Sequence, residues 1–170
     1  MIEKANILMN QTNDQNLAAG YEPQEDNDLF FVCALIEFIA RQTKNLRKDI
    51  VNALGRDTIA HYLELADVYH CEPLEKLCAE LVEKYRIPAG NFDNVTLCQY
   101  AIPTHFDIGK VYQRLIIAVA TEKNLPRIEA LLEIYNAWIS PKIDDYNSSM
   151  YYENPDYLLQ SYLAGEPLRD

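Results

Sequence analysis

From residue 26 onward, apolar side chains recur at three- and four-residue intervals, the spacing that gathers them on one face of an α-helix. Leu29, Val32, Cys33, Ile36, Ile39 and Ala40 form the first stripe, and Asp26 or Asn27 is placed to cap it. Phe30, Phe31, Leu35 and Phe38 fill the other faces, so this helix is expected to be central and buried almost all round. A short second helix carries Leu46, Ile50 and Leu54, with Gly55 expected to end it as a left-handed cap. A third begins near Asp57 and turns Ile59, Tyr62, Leu63, Ala66 and Tyr69 inward. A fourth has Pro73 in its first turn, where proline loses no hydrogen bond, and the stripe Leu74, Leu77, Cys78, Leu81, Val82 and Tyr85.

Pro88, Gly90 and Pro103 bracket an irregular connection carrying Phe92, Val95 and Leu97. It is the one place where a seam between two halves would fall, at residues 86–104. Thr104 with Asp107 then reads as a capping box, opening a fifth helix with Ile108, Val111, Tyr112, Leu115, Ile116 and Val119. The sixth starts at Asn124-Leu125-Pro126, carries Ile128, Leu131, Leu132, Tyr135, Trp138 and Ile139, and is stopped or kinked by Pro141. A last short helix follows Asn154-Pro155, carries Leu158, Leu159, Tyr162 and Leu163, and ends at Gly165. No run alternates with period two. The expected fold is therefore all-α: an irregular or orthogonal bundle of six to seven helices without a sheet. Residues 1–25 are expected to be a mobile arm, from which Ile7, Leu8 and Met9 could dock, residues 26–165 one helical domain, and 166–170 a tail.

Composition narrows the function classes. The chain has 170 residues, 49% of them hydrophobic and 24% charged, enough for one core without disulfides or metal. Its longest apolar run, from Leu29 to Ile36, is broken by Glu37 and falls far short of the ~20 residues a bilayer requires. Met1-Ile2-Glu3-Lys4 and the polar stretch Asn10 to Asp14 leave no apolar core for a signal peptide. A cytoplasmic location is expected, with Cys33, Cys71, Cys78 and Cys98 as reduced thiols. A net charge of −11 repels nucleic acid over most of the surface and favours partners with basic or apolar faces.

Chemical motifs are mostly missing. The five glycines form neither a Walker loop nor a dinucleotide fingerprint, and no nucleophile elbow, His-Glu-x-x-His or Cys-x-x-Cys occurs. No cofactor and no catalytic residue is expected. His61, Glu64, Asp67 and His70 lie three or four residues apart, but no second such pair faces them, so a polar helix face explains them better than a metal. Arg41, Lys44, Arg47 and Lys48, with Arg56, form a basic patch in front of a helix, Gly55 and another helix. That outline leaves a DNA-binding regulator as an alternative, opposed by Asp57, Glu64 and Asp67 on the would-be reading helix. A metal protein or enzyme of unfamiliar type is the third.

The tail offers the leading candidate. Asp144, Asp145, Tyr146, Tyr151, Tyr152 and Tyr157 combine acidic groups with large rings, a mixture suited to binding a basic protein surface. The same rings could instead lie flat on the bundle.

Four blocks also resemble a group of uncharacterised bacterial proteins of gut anaerobes: Leu29-Phe30-Phe31-Val32 through Ile36-Glu37-Phe38-Ile39-Ala40, Ala66-Asp67-Val68-Tyr69-His70, Asp107-Ile108-Gly109-Lys110-Val111-Tyr112 with Arg114-Leu115-Ile116, and Ile143-Asp144-Asp145-Tyr146-Asn147-Ser148-Ser149. The resemblance spans roughly residues 27–165. It implies neighbours resembling ADP-ribosyltransferase toxins and no assigned activity. Together these readings point to a non-catalytic interaction module, an accessory or antitoxin-like partner of a toxin-type protein.

Overall fold

The computed structural model describes residues 22–169. Among the described residues the chain forms eight α-helices and one 3-10 turn and no strand, so the all-α bundle is found. Helix α1 (Gln24–Thr43) is its axis, buried along most of Leu29 to Ala40 because almost every face is apolar. Helix α5 (His105–Lys123) packs along α1 more extensively than any other helix. Gly109 makes the close approach possible. A Cβ added there would stand 2.9 Å from the Ala34 nitrogen and 3.1 Å from the Ala34 Cβ. Helix α2 (Arg47–Glu64) covers another side of α1, and α6 (Arg127–Asn136) joins α2 to α5. The buried side chains form one cluster running from Leu29 to Leu158.

Helix ends differ from the sequence reading more than helix bodies do. Helix α1 starts at Gln24 behind Pro23, and Asp26 pairs with Arg127 at the start of α6 instead of capping. Gln24 and Glu25, expected in the arm, belong to the bundle, and Glu22 accepts from Lys110 at 2.7 Å. The rest of the arm, Ile7, Leu8 and Met9 included, lies outside the described residues. Gly55 does interrupt the chain, at φ 78° and ψ 164°, a conformation that glycine alone adopts readily. Its ψ is extended, so no left-handed cap forms and the helix resumes at once as a kinked α2. Helix α2 stops at Glu64, and a single turn, α3 (Ala66–Tyr69), carries Tyr69. Pro73 is the N-cap of α4 (Leu74–Tyr85) and not part of its first turn. The Thr104–Asp107 capping box forms, with Asp107 N donating to Thr104 Oγ1 at 3.0 Å and Thr104 N to Asp107 Oδ2 at 2.7 Å.

The largest departure follows α6. The stripe through Ile139 suggests one helix, but Ala137 is extended (φ −81°, ψ 162°) and Pro141 opens a separate α7 (Ser140–Asp144). The turn η1 (Met150–Tyr152) and α8 (Pro155–Ala164) complete the chain, with Asn154 capping α8 as expected. The connection at 86–104 is a strap across the α1–α2 turn, where the sequence allowed a seam. Gly90 N and Phe92 N each donate at 2.8 Å, to Thr43 O and Lys44 O. Asn45 Nδ2 adds a bond to Pro88 O at 2.7 Å.

Gly109→Ala isolates the α1–α5 contact. Alanine favours helix by about 1 kcal/mol, but its methyl group would press on Ala34 backbone that cannot rotate away. Overpacking of this kind costs about 1–3 kcal/mol. The variant is expected to unfold at lower urea concentration with an unchanged slope.

Candidate functional site

Two charged side chains sit in the middle of the bundle. Arg47 is 0% exposed and Glu37 1%. Arg47 is the first residue of α2, and the turn after α1 aims it back at Glu37, ten residues earlier. The pair is bidentate: Arg47 Nε and Nη2 donate to Glu37 Oε2 and Oε1, both at 2.7 Å. Arg47 also donates to Asn45 O (3.2 Å), Asn94 Oδ1 (3.3 Å) and the Tyr146 hydroxyl (3.3 Å). Glu37 accepts further bonds from Arg41 Nε at 2.9 Å and from the Tyr146 hydroxyl. Burial alone would raise the Glu37 carboxyl. The charge and hydrogen bonds of Arg47, then Arg41 and Tyr146, outweigh it and hold Glu37 below the usual carboxylate range.

Asp144 is the third charged group in this interior. The α6–α7 break places it beneath Tyr112, whose hydroxyl donates to Asp144 Oδ1 at 2.6 Å and lies 2.7 Å from Ser140 Oγ. Arg47 Nε is 4.0 Å away, already committed to Glu37. Burial raises the Asp144 carboxyl to about 7. The Arg47 charge opposes that rise and the Glu37 charge adds to it. Tyr112 stacks on Tyr135 with centroids 4.2 Å apart, and burial lifts both hydroxyls well above their ordinary range. The nearby Cys33 thiol is pushed up by burial to about 12, which leaves it inert.

This arrangement corrects both residue sets singled out from sequence. Asp144 and Tyr146 are interior groups and offer nothing to a partner surface. Tyr151 is half-buried, its ring 5.8 Å from Tyr146 and 5.0 Å from Tyr152. Tyr157 donates to Leu168 O at 3.0 Å and packs the tail down. Of the six, Asp145 and Tyr152 stand exposed. The basic patch is only partly a surface. Arg47 is buried, Arg41 is bonded to Glu37 and to Pro103 O (2.8 Å), and Lys44 pairs with Asp93 at 3.1 Å. Lys48 remains exposed, while Arg56 pairs with Glu129. The side chains that a groove-reading helix would need are largely engaged within the protein. His61 and His70 are likewise bonded, to the Tyr69 hydroxyl (3.0 Å) and Ala66 O (3.2 Å).

What the buried network supports is an exposed apolar surface of which the sequence reading singled out Tyr152 alone. Arg41 holds Pro103 O, and Asn94 Nδ2 donates to Asp144 O at 2.8 Å, so the network grips both ends of residues 94–103. Asn147 completes the grip through Gln99 N (2.8 Å) and Leu97 O (3.0 Å). Between these anchors Leu97 and Tyr100 are each 68% exposed, and Ile102 is exposed beside them. Phe106, in the first turn of α5, and Tyr152, in η1, are also exposed. The Tyr151 ring meets that of Tyr152, with centroids 5.0 Å apart. A signal was present in the sequence: large apolar residues without periodicity, inside a stretch bracketed by proline and glycine.

Two measurements test the interior. Arg47→Met leaves Glu37 buried with its main partner gone, an exchange that costs about 3–5 kcal/mol. Adding Glu37→Leu to it is expected to recover part of that loss in urea denaturation. Asp144 gives a pH signature. Its folded value lies above its ordinary one, so the folded state holds an extra proton between about pH 4 and pH 7. The stability this group contributes is present below that window and is lost as pH rises through it. Glu37 acts oppositely, its contribution being lost as pH falls below the carboxylate range. Asp144→Asn is expected to flatten the decline seen in the parent as pH rises through the window; equal slopes would show that Asp144 stays ionised when folded.

Compared with protein-family models, curated proteins and solved structures, the chain matches none.

Proposed function

We propose that the chain is a non-catalytic protein-binding module that docks through the apolar surface at the N-terminal end of α5. The observation that carries this is the anchored segment 94–103, which displays Leu97, Tyr100 and Ile102 as exposed large side chains, with Phe106 in the first turn of α5 and Tyr152 in η1 also exposed. Single exposed apolar residues are ordinary, but such a group displayed on anchored segments is a feature of interaction sites. Tyrosine and phenylalanine also give large contact area at small entropic cost. Asp145 and Glu153 flank the segment that bears Tyr152, on a chain of net charge −11. The partner this fits is a protein with an apolar patch inside a basic rim. The resemblance to toxin-associated proteins makes occlusion of a toxin-type protein the natural mechanism, by covering its basic face.

The test is co-purification from the native source, comparing the parent chain with two variants. Leu97→Asp with Tyr100→Asp is expected to weaken a stoichiometric protein complex about tenfold or more while leaving helicity and thermal midpoint intact. Leu163→Asp serves as the control. It follows Tyr162, which meets Glu133 and so lies by Lys123 at the far end of α5. Loss of the complex in both variants, or a parent chain that always emerges alone, would remove the proposal.

A further inference from the structure

A second feature lies away from the apolar surface. The kink at Gly55 turns the later half of α2 toward α3 and α4, leaving a cleft of about 460 Å³ among the three. Tyr62, Tyr69 and Tyr85 line it, one from each helix. Tyr62 and Tyr69 stack with centroids 4.4 Å apart and an interplanar angle of 25°. His61 Nε2 and the Tyr69 hydroxyl, 3.0 Å apart, fix the ring of Tyr69, and Thr58 bonds the hydroxyl of Tyr85. The rings are thus held in place without a ligand. Burial, aided by the negative groups around it, pushes the Tyr62 hydroxyl up to about 12, so it stays neutral.

Two carboxylates complete the lining, Asp57 and Glu80. Among the described residues neither forms an ion pair. Glu80 is the more telling. Lys84 stands one turn further on, at the spacing where Glu and Lys usually pair. Lys84 Nζ instead lies over the Tyr85 ring, 5.3 Å from its centroid. A cation thus already lies against one ring of the cleft, and the Glu80 carboxylate is left without an ion pair.

We propose that this cleft binds a small organic cation of the methylated-ammonium class. Aromatic faces attract such cations through their quadrupoles, and nearby carboxylates add charge without demanding close coordination. An anion would meet Asp57 and Glu80. A hard metal ion would need several converging oxygens, and among the described residues no metal-binding group of acids, histidines and cysteines is formed. A methylated ammonium is weakly hydrated and bulky, so it loses little by leaving water and fills a cleft lined by rings. Free small molecules and methylated lysine side chains both carry this group.

The experiment is amide NMR of the full chain titrated with choline and, separately, with its uncharged isostere 3,3-dimethylbutan-1-ol. Choline is expected to produce saturable shifts in residues 57–62, 69 and 80–85, and the isostere none. Glu80→Gln, a change at an exposed position, is expected to weaken choline binding about fivefold without altering the rest of the spectrum. A trimethyllysine peptide, titrated in parallel, identifies the source: tighter binding than choline assigns a modified protein, weaker binding a free small molecule. Equal shifts from choline and its isostere, shifts spread over the whole chain, no shift, or an unchanged affinity in Glu80→Gln would each overturn the proposal.

Discussion

The interior ion pair of Glu37 and Arg47 is the constraint around which this bundle is arranged. Removing two charges from water costs several kcal/mol each, so the pair is tolerable only if nearly every remaining donor and acceptor is satisfied. That requirement recruits neighbours from four parts of the chain: Arg41 from α1, Asn45 from the α1–α2 turn, Asn94 from the strap, and Tyr146 from the segment after α7. Lysine could not replace Arg47, because an ammonium offers no planar fork for bidentate pairing. Ordinary apolar packing would allow these segments to slide. A shared set of directional bonds fixes where each of them lies.

Seen this way, the break after α6 has a structural reason. A continuous helix through Ile139 would carry Ser140 and Asp144 onward in helical register. The extended Ala137 and the restart at Pro141 set Asp144 beneath Tyr112 and bring Tyr146 back to Glu37. The strap follows the same logic, since it is fastened where its own polar groups meet the network and left open between. The apolar side chains at its open part are displayed by a rigid interior, which lowers the entropy lost when a partner orders them.

The helix bodies were legible because period and capping are local. The stripes of α1, α4 and α5, the Thr104–Asp107 box and the Asn154-Pro155 start each lie within a local stretch, and the chain honours them, while the stripes ending at Tyr69 and Ile139 are each divided between two helices. Helix ends were less legible. Lys44, Arg86 and Asn124 close three helices in the left-handed conformation, where sequence reasoning looks for glycine. The site was legible least. Glu37 and Tyr146 are 109 residues apart, Arg47 and Asn94 47 apart, and nothing in the local pattern of Asp144-Asp145-Tyr146 distinguishes a buried acid from an exposed one. Charged residues were assigned to the surface by a rule that is right until a long-range partner exists.

The same pairing shapes what the outside presents. Arg47 is wholly buried and Arg41 partly so, while Lys44, Arg56, Lys76, Lys110, Lys123 and Arg127 each lie against a carboxylate. Two cations and one firmly ionised acid are thus withdrawn into the interior, with Asp144 drawn toward its neutral form. These two bases and two acids cancel in the sequence total, so the remaining residues still carry the full −11. About half of the remaining described cations lie against a carboxylate and acids outnumber bases, so the unmatched field is acidic. A cation, whether a basic protein face at the α5 end or an ammonium group among the tyrosines, is what such a surface attracts. The excess of acids in the sequence thus sets the sign of the partner, and the interior network sets the position of the side chains that would meet it.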